Sequence, residues 1–103
     1  MQLIHPEELQ ARLKNNETLN LIDVRQPDEH LEFNIGGILL PLGHIQTLQI
    51  DEIESLKEEE IICYCRSGQR SMQAAMMLET IGFKNVFNLV GGMLAWKSKF
   101  ENQ

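Results

Sequence analysis

Ile61-Ile62-Cys63-Tyr64-Cys65-Arg66-Ser67-Gly68-Gln69-Arg70-Ser71 is the stretch that decides both the fold and the chemistry of this chain. A short apolar run delivers a cysteine into a polar loop bearing two arginines, and the residues that follow predict a helix start. Glu58, Glu59 and Glu60 stand just before it and Glu79 just after, yet no acidic residue occurs between Ile61 and Leu78. Two guanidinium groups, the loop amides and the free N–H groups of a helix start would all favour a thiolate over a thiol. Cys65 is therefore the candidate nucleophile, held in an anion-binding cradle.

Working outward, Gln2-Leu3-Ile4 predicts a short first strand, and His5-Pro6-Glu7-Glu8 a helix start with carboxylates at its positive end. That helix should end at Asn15-Asn16. Leu19 to Arg25 reads as a strand too apolar at its centre to have one wet face, which places it inside a sheet. A short helix is expected from Gln26-Pro27-Asp28-Glu29-His30, broken by Asn34-Ile35-Gly36-Gly37, and a third brief strand over Ile38-Leu39-Leu40. Residues 43–48 and 51–56 predict two short helical segments.

Ile61 to Tyr64 is the fourth strand. The helix after it, running from about Gly68 to a stop at Gly82, carries Met72, Ala74, Ala75, Met76, Met77 and Leu78, and so apolar a helix is expected to be covered on most sides. Asn85-Val86-Phe87-Asn88-Leu89 is the fifth strand, followed by Gly91-Gly92 and a last helix with Met93, Leu94, Trp96 and Phe100. Strands alternating with helices over short connections predict one α/β domain over residues 1–103, with a mainly parallel sheet and helices on both faces. In such sheets ligands sit beyond the carboxyl ends of the strands, where Cys65 lies.

Composition narrows the function. The chain has 103 residues and a formal net charge of -6, from 9 Lys+Arg against 15 Asp+Glu, which argues against nucleic acid or an anionic membrane as the main partner. No apolar run approaches a membrane span and no secretory leader is evident, so a cytoplasmic location is expected. Cys63 and Cys65 are too close in sequence to staple distant parts of a fold, and His5, His30 and His44 show no ligand spacing with them. Neither a structural disulfide, a metal nor a cofactor is expected.

Within the loop, Gly68 allows the backbone to turn its N–H groups inward, so that Arg66, Ser67, Gly68, Gln69, Arg70 and Ser71 are the candidates for holding an anion or developing negative charge beside Cys65. Arg70 is the favoured guanidinium, Arg66 points less predictably, and Ser71 either caps the helix or offers its hydroxyl to the sulfur.

Four blocks, Leu21-Ile22-Asp23-Val24-Arg25, Tyr64-Cys65-Arg66-Ser67-Gly68-Gln69-Arg70-Ser71, Gly82-Phe83-Lys84-Asn85-Val86 and Leu89-Val90-Gly91-Gly92-Met93-Leu94-Ala95-Trp96, together resemble a single-domain rhodanese over nearly the whole chain. The resemblance implies a five-stranded parallel sheet wrapped by helices. It also implies a cysteine, here Cys65, that takes a sulfane sulfur from a small anionic donor such as thiosulfate and passes it, as a persulfide, to cyanide, a thiol or a sulfur-carrier protein. Asp23 and Arg25 match the family's Asp-x-Arg block and are expected to brace the loop. One block departs: Phe33-Asn34-Ile35-Gly36-Gly37-Ile38 lacks the family's usual His and Pro, and is similar to rhodanese modules attached to adenylyltransferases of sulfur-carrier pathways.

Two other readings compete. A small cysteine phosphatase or arsenate reductase also sets a thiolate and an arginine around an oxyanion, but such loops resemble Cys-x5-Arg, whereas Cys65 and Arg70 enclose four residues and no aspartate in the loop offers a general acid. A non-catalytic regulatory module would have little need to retain Cys65, Gly68 and Arg70 together. Cys63, inside the apolar strand, reads as a packed structural thiol; Trp96, Phe100 and the Met72, Met76, Met77 group read as core, and His30 and His44 as surface or loop residues. A monomer or dimer is expected.

Overall fold

The computed structural model describes residues 1–101, along which strands and helices alternate. In chain order they are β1 (Gln2–Ile4), α1 (Pro6–Lys14), β2 (Leu21–Asp23), α2 (Pro27–Glu32), β3 (Ile38–Leu39), α3 (Leu42–Gln46), a 3-10 helix (Asp51–Leu56), β4 (Glu60–Tyr64), α4 (Gln69–Thr80), β5 (Asn85–Leu89) and α5 (Gly92–Phe100). The strands form one sheet in the order β1-β5-β4-β2-β3, with every pairing parallel. Parallel neighbours need a crossover between them, which is why helical segments separate the strands.

β4 lies at the centre, its Cys63 opposite Ile22 of β2 on one side and Asn88 of β5 on the other. Side chains alternate along it. Ile61, Cys63 and the next residue of the same parity, Cys65, pack with Ala74, Ala75 and Leu78 of α4 and with Ile45 and Ile53. Ile62 and Tyr64 point the other way, toward Leu9 of α1 and Met93 and Trp96 of α5. The chain thus leaves β4 with the Cys65 thiol already on the α4 side.

The elements match the expected order, with differences that have physical causes. β2 is confined to Leu21–Asp23, beyond which the Val24 N–H still donates to Tyr64 O while Arg25 turns back to Asp23. The short helical segment expected over residues 51–56 is present, in the 3-10 form. The expectation that α4 is covered on most sides, with Met72 and Met76 in the core, is corrected. Only the stripe of Ser71, Ala74, Ala75 and Leu78 is buried, while Met72 and Met76 are 43% and 55% exposed. Apolar residues lie on two stripes of this helix, and the sheet can cover only one of them. Trp96 and Phe100 do pack edge to face, 4.8 Å between centroids. Among the described residues no helix is long and apolar enough to cross a membrane.

Candidate active site

Immediately beyond β4, Cys65 is only 1% exposed, and three donors converge on its Sγ: the backbone N–H of Gly68 at 3.1 Å, the backbone N–H of Ser71 at 3.3 Å and the Ser71 hydroxyl at 3.3 Å. Sulfur accepts weakly as a thiol and far better when it carries negative charge, so these donors are placed to meet charge that develops on Sγ during a reaction. The Ser71 N–H belongs to the first turn of α4, where amides have no partner inside the helix. In this way the helix contributes the positive end of its dipole to the sulfur.

Loop shape comes from its neighbours. Gly68 sits in the left-handed region at φ 101, which turns its N–H toward Sγ, and its carbonyl accepts from Asn88 Nδ2 at 3.2 Å. On the outer side, the first amides of α5 hold the loop carbonyls: Met93 N–H donates to Cys65 O and Leu94 N–H to Arg66 O, both at 2.9 Å. A carbonyl held outward leaves the neighbouring amides free to face inward. This contact requires glycine at position 92, because a Cβ there would lie 2.3 Å from Cys65 O and 2.7 Å from Arg66 O.

Asn88 is a site residue that the sequence reading passed over. It is buried on β5, and its Oδ1 accepts from the Ser71 hydroxyl at 2.5 Å. Since a hydroxyl carries one proton, Ser71 serves Asn88 or Cys65, never both fully. The signal lies in the pattern of β5: Asn88 stands between Phe87 and Leu89 inside the strand, and an amide buried there must find partners.

Arg70 is placed differently from expectation. Its Nη1 and Nη2 donate to Glu29 Oε1 and Oε2 of α2 at 2.7 and 2.8 Å, a two-pronged ion pair. The hydrogen bonds from Arg70, together with the one from the backbone N–H of Gln26, outweigh partial burial and hold the Glu29 carboxyl down at about 2. The same contacts raise Arg70 further, and the guanidinium also feels Cys65 and Asp23. Among the other loop members, Ser67 and Gln69 are exposed at the rim. Arg66 is exposed too, and with Arg25, Phe33, Leu94 and Lys97 it lines a cleft of about 130 Å³.

Asp23 and Arg25 pair with each other and reach Phe33 and α2. Arg25 Nε and Nη2 donate to the two oxygens of Asp23 at 2.9 and 2.8 Å, and Nη2 also donates to Phe33 O at 2.6 Å. Burial alone would push the Asp23 carboxyl up; hydrogen bonds from Arg25 and His30 reverse this and hold it below the ordinary range. His30, expected as a surface or loop residue, is corrected: its Nδ1 lies 2.8 Å from Asp23 Oδ2, so α2 is pinned there by both His30 and the Glu29–Arg70 pair. The departing segment is carried by Tyr64, whose hydroxyl donates to Gly36 O at 2.9 Å. Cys63 is fully buried, and burial followed by repulsion from Cys65 pushes its thiol up to about 12, as befits a packing residue.

Comparison with known proteins places this geometry in a family. A rhodanese-like domain model matches residues 5–99. A sulfurtransferase of Allochromatium vinosum is 39% identical over 93 residues, covering 90% of this chain and 85% of the relative. YrkF of Bacillus subtilis, whose name assigns it provisionally to sulfur carriage, is 35% identical over 92% of this chain, which spans 50% of that relative's length. The crystal structure of a rhodanese-like domain protein from Staphylococcus aureus superimposes with a TM-score of 0.79 at 30% identity, covering 93% of this chain and 91% of that one. A match over nearly the full length, in both sequence and fold, means that the chain belongs to the rhodanese-like family.

Proposed function

We propose that this protein is a sulfurtransferase in which Cys65 carries the sulfur. The observation that supports this most directly is the convergence of the Gly68 and Ser71 amides and the Ser71 hydroxyl on Sγ. With thiosulfate as donor, the Cys65 thiolate attacks the outer sulfur, a new Sγ–S bond forms, and the S–S bond of thiosulfate breaks with its electron pair leaving on sulfite. Cys65 then bears a persulfide anion. An acceptor nucleophile, cyanide or a thiolate, attacks the terminal sulfur and returns the Cys65 thiolate, so no net redox change and no separate general base are required.

The same three donors stabilise the negative charge in both half-reactions, since it returns to a sulfur atom at this place each time. A protein acceptor of the sulfur-carrier type fits the exposed rim of Arg66, Ser67 and Gln69. The test is incubation with thiosulfate, intact-mass measurement and transfer to cyanide, beside Cys65→Ser. A gain of one sulfur atom, absent from the variant and released by cyanide, is expected. Sulfur transfer retained by Cys65→Ser would overturn the reading.

A further inference from the structure

We propose that Glu29 is an internal competitor for the anion site: its carboxylate occupies the Arg70 guanidinium that an incoming oxyanion would use, and so biases the protein away from small dianionic donors and toward organic persulfides. The inference rests on the sulfur-transfer reading above and names the donor class of that same site.

The geometry is that of a bound substrate anion already in place. Both terminal nitrogens of Arg70 are taken by Glu29, at 2.7 and 2.8 Å, in the two-pronged fashion in which a guanidinium receives carboxylates and other oxyanions. Gln26 N–H donates to Glu29 Oε1 at 3.1 Å and fixes the carboxylate from behind, at the start of α2. The pair is only partly exposed, so solvent screens it less than a surface pair. The other cations near the loop are placed differently: Arg25 is spent on Asp23 and Phe33 O, while Arg66 and Lys97 line the neighbouring cleft, Lys97 over the Phe33 ring.

A thiosulfate dianion that recruits Arg70 must displace Glu29, and the freed carboxylate then faces a like charge. An organic persulfide, R–S–SH, has no oxyanion to place. The Cys65 thiolate attacks its outer sulfur, the S–S bond of the donor breaks, R–S⁻ leaves with the electron pair, and Cys65 holds the persulfide with its proton. This route asks nothing of Arg70.

Glu29→Gln keeps the length and the acceptor oxygen of the side chain while removing its charge. Sulfur loading of Cys65 is followed by mass, with thiosulfate and with the persulfide of 2-mercaptoethanol as donors, in wild type, Glu29→Gln, Arg70→Ala and the double variant. The ratio of kcat/KM for thiosulfate to that for the persulfide is expected to rise about tenfold in Glu29→Gln, carried by a lower KM for thiosulfate. Arg70→Ala should cost thiosulfate loading more in the Glu29→Gln background than in wild type, where the guanidinium is already occupied. If Glu29→Gln does not fold, Glu29→Ala carries the same comparison. An unchanged ratio, or a higher KM for thiosulfate, overturns the competitor role while leaving sulfur transfer standing. Failure of wild-type Cys65 to gain sulfur from either donor overturns the sulfur-transfer reading and this inference with it.

Discussion

Replacing Gly92 with alanine should damage the loop that holds Cys65 more than any other change of one methyl group. The new Cβ would stand 2.3 Å from Cys65 O and 2.7 Å from both the carbonyl carbon and the oxygen of Arg66. Relief to an ordinary contact of ~3.5 Å needs a backbone displacement of about 1 Å. The atoms that must move are backbone, and Cys65 O and Arg66 O are themselves held by the Met93 and Leu94 amides. Position 92 also has φ 55, where a side chain costs roughly 1 kcal/mol. Adding ~1–3 kcal/mol for overpacking gives a loss of roughly 2–4 kcal/mol. For a domain of this size that is a fall in Tm of at least about 10 °C, measured by circular dichroism. Sulfur loading of Cys65 at a temperature where the variant is still folded should fall by about tenfold or more, because a misplacement of ~1 Å spoils a preorganised site. A Tm within about 2 °C of wild type together with an unaltered loading rate would refute the argument that α5 shapes the loop.

Asn88→Ala should lower stability by about 1–3 kcal/mol in a urea titration, since Gly68 O loses a buried donor and Ser71 its acceptor. Cys63→Ala should turn over near the wild-type rate, and alkylation of the native protein should modify Cys65 and spare Cys63 until denaturant is added. Acid should destabilise the fold in a defined window. Glu29 and Asp23 both have carboxyls held below their ordinary values, so their contribution is fully present above those values and is lost as pH falls, for Glu29 between its ordinary 4.5 and about 2. Urea midpoints measured down through that range should decline less steeply in Glu29→Gln than in wild type, and equal slopes would contradict the pairing.

Much of this was legible in the sequence because the informative signals are local. The apolar runs at Leu21, Ile61 and Val86 locate three neighbouring strands, and Pro6 and Gly82 mark helix limits through backbone chemistry that depends on no distant residue. Cys65, Gly68 and Ser71 lie within seven consecutive positions, so their convergence follows from one strand end and one helix start. What stayed hidden depends on partners far along the chain. Glu29 and Arg70 are 41 residues apart, and nothing in either neighbourhood announces that they meet. Asn88 reaches the loop because its register sets it opposite Cys63, a fact of sheet order. Met72 and Met76 lie outside the core because their helix carries two apolar stripes, and which one faces the sheet is decided by the neighbours.

The grip of α5 on the loop carries a lesson for anyone who would transplant this site. The segment from Cys65 to Ser71 looks like a portable cassette, yet its curvature is imposed by amides from a helix more than twenty residues downstream and by an amide side chain on another strand. Grafted alone onto a foreign strand and helix, it would relax to an ordinary turn and leave an unremarkable thiol. A working graft would have to bring the end of β5, the glycine pair at 91 and 92 and the start of α5 along with it.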